Sequence, residues 1–475
     1  MIFTSVNFFL FLVSVLVTYY LIPVKYRKLL LLAASAFFYA TAGYEYLLLV
    51  IALIIFNYYL GLRLEKTNTQ AQKKSFLYAG LIINIGVLVF YKYLGFIFYS
   101  ITEVFGIENY SADSGILKLI IPLGLSYYTF QNLGYILDIY RGSEKAERNL
   151  MDFSLFVLFF PKLNVGPIER TKTLLPQIKT DRVFSADNLI EGGKRILWGF
   201  LKKMVIADRI AIFVDAVYVN HEFHGGSTMI LAILLYTLQV YADFSGYTDI
   251  AIGTARLFGY RLMENFNFPL VSKNISDFWR RWHISLSTWV NDYLFNPISL
   301  KRRNWGNLGV YYALFISFIV VGIWHGATWN YVLFGVFQSL ALIYDMVTRK
   351  LRKKVSKKVP SLLYSLFSIA LTYIFISFCL ILFKTPTPEQ ALSVLQSIAS
   401  PPGELSIDRA SMILFVTIGG LVLVISDFRT EFKFLQLPQH IDNNWMFQQV
   451  SYAVMLIYLL VAGVFDGGQF IYFQF

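Results

Sequence analysis

The chain has 475 residues, of which 57% are hydrophobic and 15% charged, against roughly 25% charged in an ordinary soluble domain. Aromatics supply 18%, including 32 Tyr and 44 Phe. This rules out a disordered chain, argues against a soluble globular enzyme and indicates a polytopic membrane protein. Lys and Arg number 41 against 29 Asp and Glu, a net +12 that in a membrane reports orientation before nucleic acid, and none is expected as partner. A lone cysteine, Cys379, excludes an intramolecular disulfide and cysteine-rich metal sites. The five histidines (221, 224, 283, 325 and 440) form no HExxH pair, so no metal is expected.

The first element, Phe3 to Ile22, is apolar for about 20 residues, enough to cross a bilayer. No basic n-region precedes it and no small-x-small site follows, so it reads as a retained span. Pro23, Lys25, Arg27 and Lys28 then form a cytoplasmic anchor. Further apolar stretches cover 29–43, 46–62, 76–99 and 116–140. The short loops between them alternate in charge. Glu45 is followed by Arg63, Lys66, Lys73 and Lys74, then Glu103, Glu108 and Asp113, then Arg141, Lys145 and Arg148. The positive-inside rule then puts Met1 outside.

The alternation breaks at 150–168. This apolar stretch contains Pro161, Lys162, Asn164, Gly166 and Pro167 between two basic flanks, so it reads as re-entrant. Residues 172–195 look soluble and cytoplasmic. Ile196 to Tyr218 mixes Lys202, Lys203, Asp208 and Arg209 into an apolar helix, more like an interfacial helix than a span. After a long helix at 228–258 and a polar-aromatic stretch at 265–305 comes a hairpin, 308–326 and 329–347. It closes on seven basic residues between Arg349 and Lys358, a cytoplasmic loop that could touch anionic lipid. Spans at 361–383, 410–426 and 447–465 leave Asp466 to Phe475 outside as an extracytoplasmic tail. The expected fold is all-α and polytopic, with about 10–12 transmembrane helices plus re-entrant and interfacial ones. Without an inverted repeat or Gly/Ser linker, 1–475 reads as one membrane domain, with 265–347 as its catalytic segment.

Three motifs lie within the apolar regions. The hairpin turn reads Gly322-Ile323-Trp324-His325-Gly326-Ala327-Thr328-Trp329-Asn330. A histidine ending an apolar helix is costly unless paired or wetted, which makes His325 a functional candidate, with a carbonyl-bonded structural histidine as the bland alternative. Gly322 and Gly326 would let a substrate or another backbone come close. The second motif is Asn274 to Ser287, in which Ser276 can cap a helix whose first turn holds Asp277. Arg280, His283, Ser287 and Asn291 then recur at helical spacing as a polar stripe, with Arg281 beside it. Such a stripe suits a channel for a polar, anionic ligand, or else an interfacial helix meeting headgroups. The third, Gln239 to Asp249, puts Asp243 and Asp249 inside an apolar helix, where they need partners such as Arg280, Arg281 or a histidine N–H.

With these motifs the sequence resembles the membrane-bound O-acyltransferases, in particular the alginate and peptidoglycan O-acetyltransferase branch. The D-alanyl transfer protein of teichoic acid synthesis is a more distant cousin. The resemblance rests on YYTFQNLGYILDIYRG (127–142), FFPKLNVGPIER (159–170), ILWGFLKKMVIADRI (196–210), QVYADFSGYTDIAIG (239–253), FWRRWHISLS (278–287), GIWHGATWN (322–330) and FIYFQF (470–475). It implies a helical fold around a central funnel, a catalytic histidine at His325 and a channel-lining one at His283. It also implies acyl transfer across the bacterial cytoplasmic membrane. A cytoplasmic thioester, acetyl-CoA as the expected donor substrate, would give up its acetyl group past His325. An extracytoplasmic acetyltransferase partner would then decorate a cell-surface polysaccharide such as alginate or peptidoglycan, with no tightly bound cofactor.

The donor or its channel would engage Arg280, Arg281, Ser287, Asn291, Trp324, Asp243, Asp249 and Lys162. In the terminal tail, Tyr472 in an F-x-Y-x-x-F pattern is similar to the family's acyl-accepting segment, an aromatic membrane anchor being the bland alternative. Segment 159–170 departs from the family pattern, which has Gln where Lys162 stands and small or apolar residues at Asn164 and Glu169. That leaves donor and acceptor choice open. A D-alanyl or other acyl group is the alternative within the family, and a glycan or lipid transporter the alternative outside it.

Overall fold

A computed structural model describes residues 1–106, 120–401, 410–432 and 445–465. Among these residues the regular structure is helical, with no strand. Among the described residues, seven helices are long and apolar enough to cross a membrane: Tyr44–Lys66, Gln70–Val104, Gly226–Leu257, Asn307–His325, Trp329–Ser356, Ser361–Lys384 and Trp445–Ala462. Val6–Leu21 is apolar but shorter. The all-α, multi-pass expectation is borne out. The larger expected count had included such short helices, Val24–Ala40 among them.

The chain forms two compact units. The first comprises Met1–Gly193 with Ala251–Met263. Its core is aromatic: Phe3, Phe8, Phe38 and Phe160 are buried, and Phe11 meets Phe160 edge-on at 5.2 Å. Inside this apolar packing, Asn57 and Asn84 satisfy each other by two reciprocal amide hydrogen bonds of 3.1 and 2.8 Å. The stretch read as re-entrant is broken into Leu150–Leu158 and Phe160–Leu163. Asn149 caps the first of these by accepting from Met151 N and Asp152 N, and Pro161 at the start of the second keeps the two short. From Asp152 to Thr171 almost every residue is buried, as irregular backbone at membrane depth requires.

The second unit comprises Lys194–Ile250 and Glu264–Phe475. Ile196 to Tyr218 is not the surface-lying helix its charges suggested. It passes through a π-helical turn, Leu201–Ala207, in which all seven residues are buried. A Cβ on Gly199 would lie 2.6 Å from the Gly246 carbonyl oxygen, and one on Gly246 would lie 2.8 Å from that of Gly199. Only glycines permit this approach. It brings Lys202 and Lys203 against the carboxylates of Gly226–Leu257, so the charges are buried in pairs instead of facing headgroups.

Candidate active site

The hairpin that carries His325 is closed by backbone contact. A Cβ on Gly322 would stand 2.2 Å from the Tyr331 carbonyl oxygen, and the Tyr331 ring packs on Gly326. Of the two uses open to these glycines, the structure shows close packing of the hairpin's own arms. His325 is the last residue of Asn307–His325 and is 4% exposed. Its ring is enclosed by Trp324, Phe383 and Phe334, with centroids at 5.0, 5.2 and 6.0 Å. Asn330 fixes the second arm by donating to the Thr385 carbonyl at 2.6 Å. An imidazolium formed at this helix C-terminus would meet the negative end of the helix dipole.

The second motif is built differently from the continuous helix its spacing suggested. Asn274, not Ser276, caps the first turn by accepting from Asp277 N at 2.9 Å. The helix Ile275–Arg281 then stops, and His283 takes a left-handed backbone (φ 43, ψ 54) before a new helix, Ile284–Val290. A non-glycine residue there is uncommon, though histidine tolerates it better than most. The stripe therefore breaks at His283, because the chain turns at that residue.

His283 is fully buried, and burial pushes its imidazole down to about 3, which keeps it neutral. Its ring meets Phe244 edge-on at 4.8 Å and Trp324 at 5.8 Å. Trp324 thus touches both histidines, which brings His283, Trp324 and His325 into one cluster.

Two cavities share Ile284, the residue next to His283, in their walls, while His283, Trp324 and His325 themselves are not among the lining residues of either. One, of about 470 Å³, is mostly apolar and includes Arg280, Ser287 and Asn291 in its wall. Three members of the expected stripe therefore share a cavity although the helix is interrupted. The other, of about 530 Å³, is walled by Asp249, Arg195, Lys202, Trp198, Ser245 and Asn265 among others.

The carboxylates do not pair with Arg280 or Arg281. Asp249 takes Arg195 at 2.6 Å and also Lys202, while Lys203 bridges Asp243 at 2.8 Å and Asp208 at 2.7 Å. The lysines win because the glycine contact places them directly opposite the carboxylates. Arg281 forms a bidentate pair with Glu431 at 2.9 and 2.7 Å, which holds that carboxylate below its usual range. Arg280 lies against Asp277 at 3.3 Å, its side chain 73% exposed.

Lys162 belongs to the first unit, buried, donating to Gln131 Oε1 at 2.9 Å and the Val157 carbonyl at 3.2 Å. Tyr472 lies outside the described residues. Sequence reasoning passed over Asn265, which sits against His283. Its only signal was a polar residue in an aromatic run, Phe266, Asn267 and Phe268 following it. Among the described residues no group of three or more His, Cys, Asp or Glu could hold a metal ion.

Comparison with known proteins shows the family. The profile of the membrane-bound O-acyltransferase family matches residues 144–384, which include both histidines. The chain belongs to the membrane-bound O-acyltransferase family. It is 40% identical to the probable alginate O-acetylase AlgI of Azotobacter vinelandii over 354 residues, 74% of this chain and 69% of that protein. It is 33% identical to the peptidoglycan O-acetyltransferase of Helicobacter pylori over 404 residues, 80% of this chain and 75% of that one. It is 32% identical to the teichoic acid D-alanyltransferase of Bacillus subtilis over 281 residues, 56% of this chain and 69% of that one. The protein is therefore an acyltransferase, and the transporter reading is set aside.

Proposed function

We propose that this acyltransferase takes an acetyl group from acetyl-CoA on the cytoplasmic side and delivers it for O-acetylation of an extracytoplasmic polysaccharide such as alginate or peptidoglycan. The observation that carries the reading is the buried cluster of His283, Trp324 and His325, with Ile284 beside His283 in the walls of two cavities. A hydroxyl is a poor nucleophile at neutral pH and needs a base. His325 takes the acceptor hydroxyl's proton as its oxygen attacks the thioester carbonyl. The C–S bond breaks, and the departing thiolate recovers that proton. The aromatic enclosure keeps water from competing for the thioester. Asp249 acts by holding Lys202 and Arg195 in the cavity wall, and Asp243 by holding Lys203 in the buried charge network. Arg280, Ser287 and Asn291 offer polar contacts along the donor's path, and Arg281 anchors that wall through Glu431.

The identities to an alginate O-acetylase and a peptidoglycan O-acetyltransferase support acetyl over D-alanyl as the acyl group. The 32% identity to a D-alanyltransferase supports the second reading, a D-alanyl carrier as donor. Purified protein in proteoliposomes should release CoA from acetyl-CoA and leave D-alanyl carrier protein unconsumed. The opposite pattern would establish the second reading.

The topology that goes with this function puts both termini outside a bacterial cytoplasmic membrane, with the basic loop after Thr348 inside. In a Cys379→Ser background, a cysteine at Lys350 should react only with reagents that enter the cell. A cysteine at Gln469 should react from outside. Labelling of both from one side would refute the arrangement.

Tyr472 is the proposed relay. Its phenol would accept the acetyl group with His325 as base, giving a phenyl ester whose good leaving group suits passage to an outer acetyltransferase partner. Tyr472→Phe should leave the protein in the membrane and stop polymer acetylation. Normal acetylation in that variant would leave the tail only an anchoring role.

A further inference from the structure

The geometry points to Asn265 as a positioning residue: its carboxamide oxygen holds His283 in the Nδ1–H tautomer, so that Nε2 is the nitrogen offered as a proton acceptor. The inference rests on reading His283 as part of the acyl-transfer site. Its structural half stands on Asn265 and His283 alone.

The side chain of Asn265 is fully buried, and three groups converge on its Oδ1. The Ser285 backbone N lies at 3.1 Å, Ser285 Oγ at 2.9 Å and His283 Nδ1 at 3.1 Å. A backbone N–H can only donate, so the atom facing it must be the carboxamide oxygen and not its nitrogen. That fixes the amide's orientation, and the orientation fixes the ring. An oxygen facing Nδ1 at this distance requires a proton between them, so Nδ1 donates and the neutral ring keeps its lone pair on Nε2. Ser285 Oγ is 3.5 Å from Nδ1, too far to compete for that proton. Burial, which keeps His283 neutral, removes the doubly protonated alternative.

The backbone supports the same assignment. Ile284 N donates to the Asn265 carbonyl at 2.9 Å, and Asn267 N donates to the Arg281 carbonyl at 2.9 Å. Segment 265–267 thus clamps the chain on both sides of His283. A non-glycine residue with left-handed backbone is strained and persists only where its surroundings over-determine it. Asn265 supplies both the backbone clamp and the side-chain contact. Among the described residues its Nδ2 has no hydrogen-bond partner, and Asn265 lines the larger cavity. One amide therefore joins the cavity wall to the tautomer of His283.

The test reads the tautomer directly. Histidine labelled with ¹⁵N is incorporated into the full chain in bilayers, and His283 is assigned by the resonance lost in His283→Asn. Five histidines keep that spectrum tractable. Wild type should show Nδ1 protonated and Nε2 bare. Asn265→Asp, which retains the oxygen, should keep this pattern, and Asn265→Leu should lose it. Finding Nε2 protonated in wild type overturns the proposal whether or not the Asn265 variants fold.

The kinetic arm separates positioning from lining. Asn265→Leu should lower kcat roughly 10–100-fold, the range seen when an orienting partner of a histidine is removed. KM should change little, and Asn265→Asp should recover more of kcat than Asn265→Leu. A rise in KM alone would assign Asn265 to the cavity wall and overturn the positioning role. If the tautomer responds as described while His283→Ala transfers acetyl at the wild-type rate, the reading of His283 fails and the structural claim survives.

Discussion

His325→Ala is expected to abolish acetyl transfer while the protein still reaches the membrane folded. General-base catalysis contributes roughly 10²–10⁴-fold, and in the proposed mechanism His325 is the main base. The imidazole sits against Trp324, Phe334 and Phe383, so its loss leaves a pocket with largely aromatic walls. The measurement is acetyl transfer from acetyl-CoA in proteoliposomes, with the unfolding temperature of the purified variant as control. A variant that folds and keeps about half of wild-type transfer would contradict a 10²-fold role and remove His325 from the mechanism. His283→Ala should act less uniformly, because a neutral, buried ring beside Trp324 orients and accepts without being the main base.

What could be read from the sequence, and what could not, divides along the range of the interactions. The apolar spans were legible because about 20 apolar residues in a row have few alternatives to crossing a bilayer. The hairpin at His325 was legible for a related reason, since glycines and a histidine at the end of such a span stand out locally. The break at His283 was not. Its 3-4-4 spacing with Arg280, Ser287 and Asn291 is what a continuous helix would show, and the clamp that forces the turn comes from Asn265 and Asn267. The partners of Asp243 and Asp249 were hidden likewise. A carboxylate in an apolar helix announces that it needs a cation, but not which one. That choice was made by the contact of Gly199 with Gly246, which sets Lys202 and Lys203 opposite.

Lys203→Met is expected to be among the most destabilising single substitutions away from the histidines. The lysine ammonium lies 2.7 Å from Asp208 and 2.8 Å from Asp243, and 5.2 Å from the centroid of the Tyr247 ring. All three charged side chains are almost completely buried. Removing the cation leaves two carboxylates facing each other without it, and breaking a buried pair this way costs about 3–5 kcal/mol. The same physics predicts a rescue. Lys203→Met combined with Asp208→Asn and Asp243→Asn removes the stranded charges and should regain most of the lost stability, because a buried ion pair and its neutral replacement are often nearly equal. Thermal unfolding of the detergent-solubilised protein compares the three forms. Arg281→Met is the useful contrast, since Arg281 and Glu431 are partly exposed and Glu431 can rehydrate when its partner is lost. A Lys203→Met protein as stable as wild type would mean that the buried network contributes nothing net. A triple variant no better than the single one would mean that the lysine acts through its packing and not its charge.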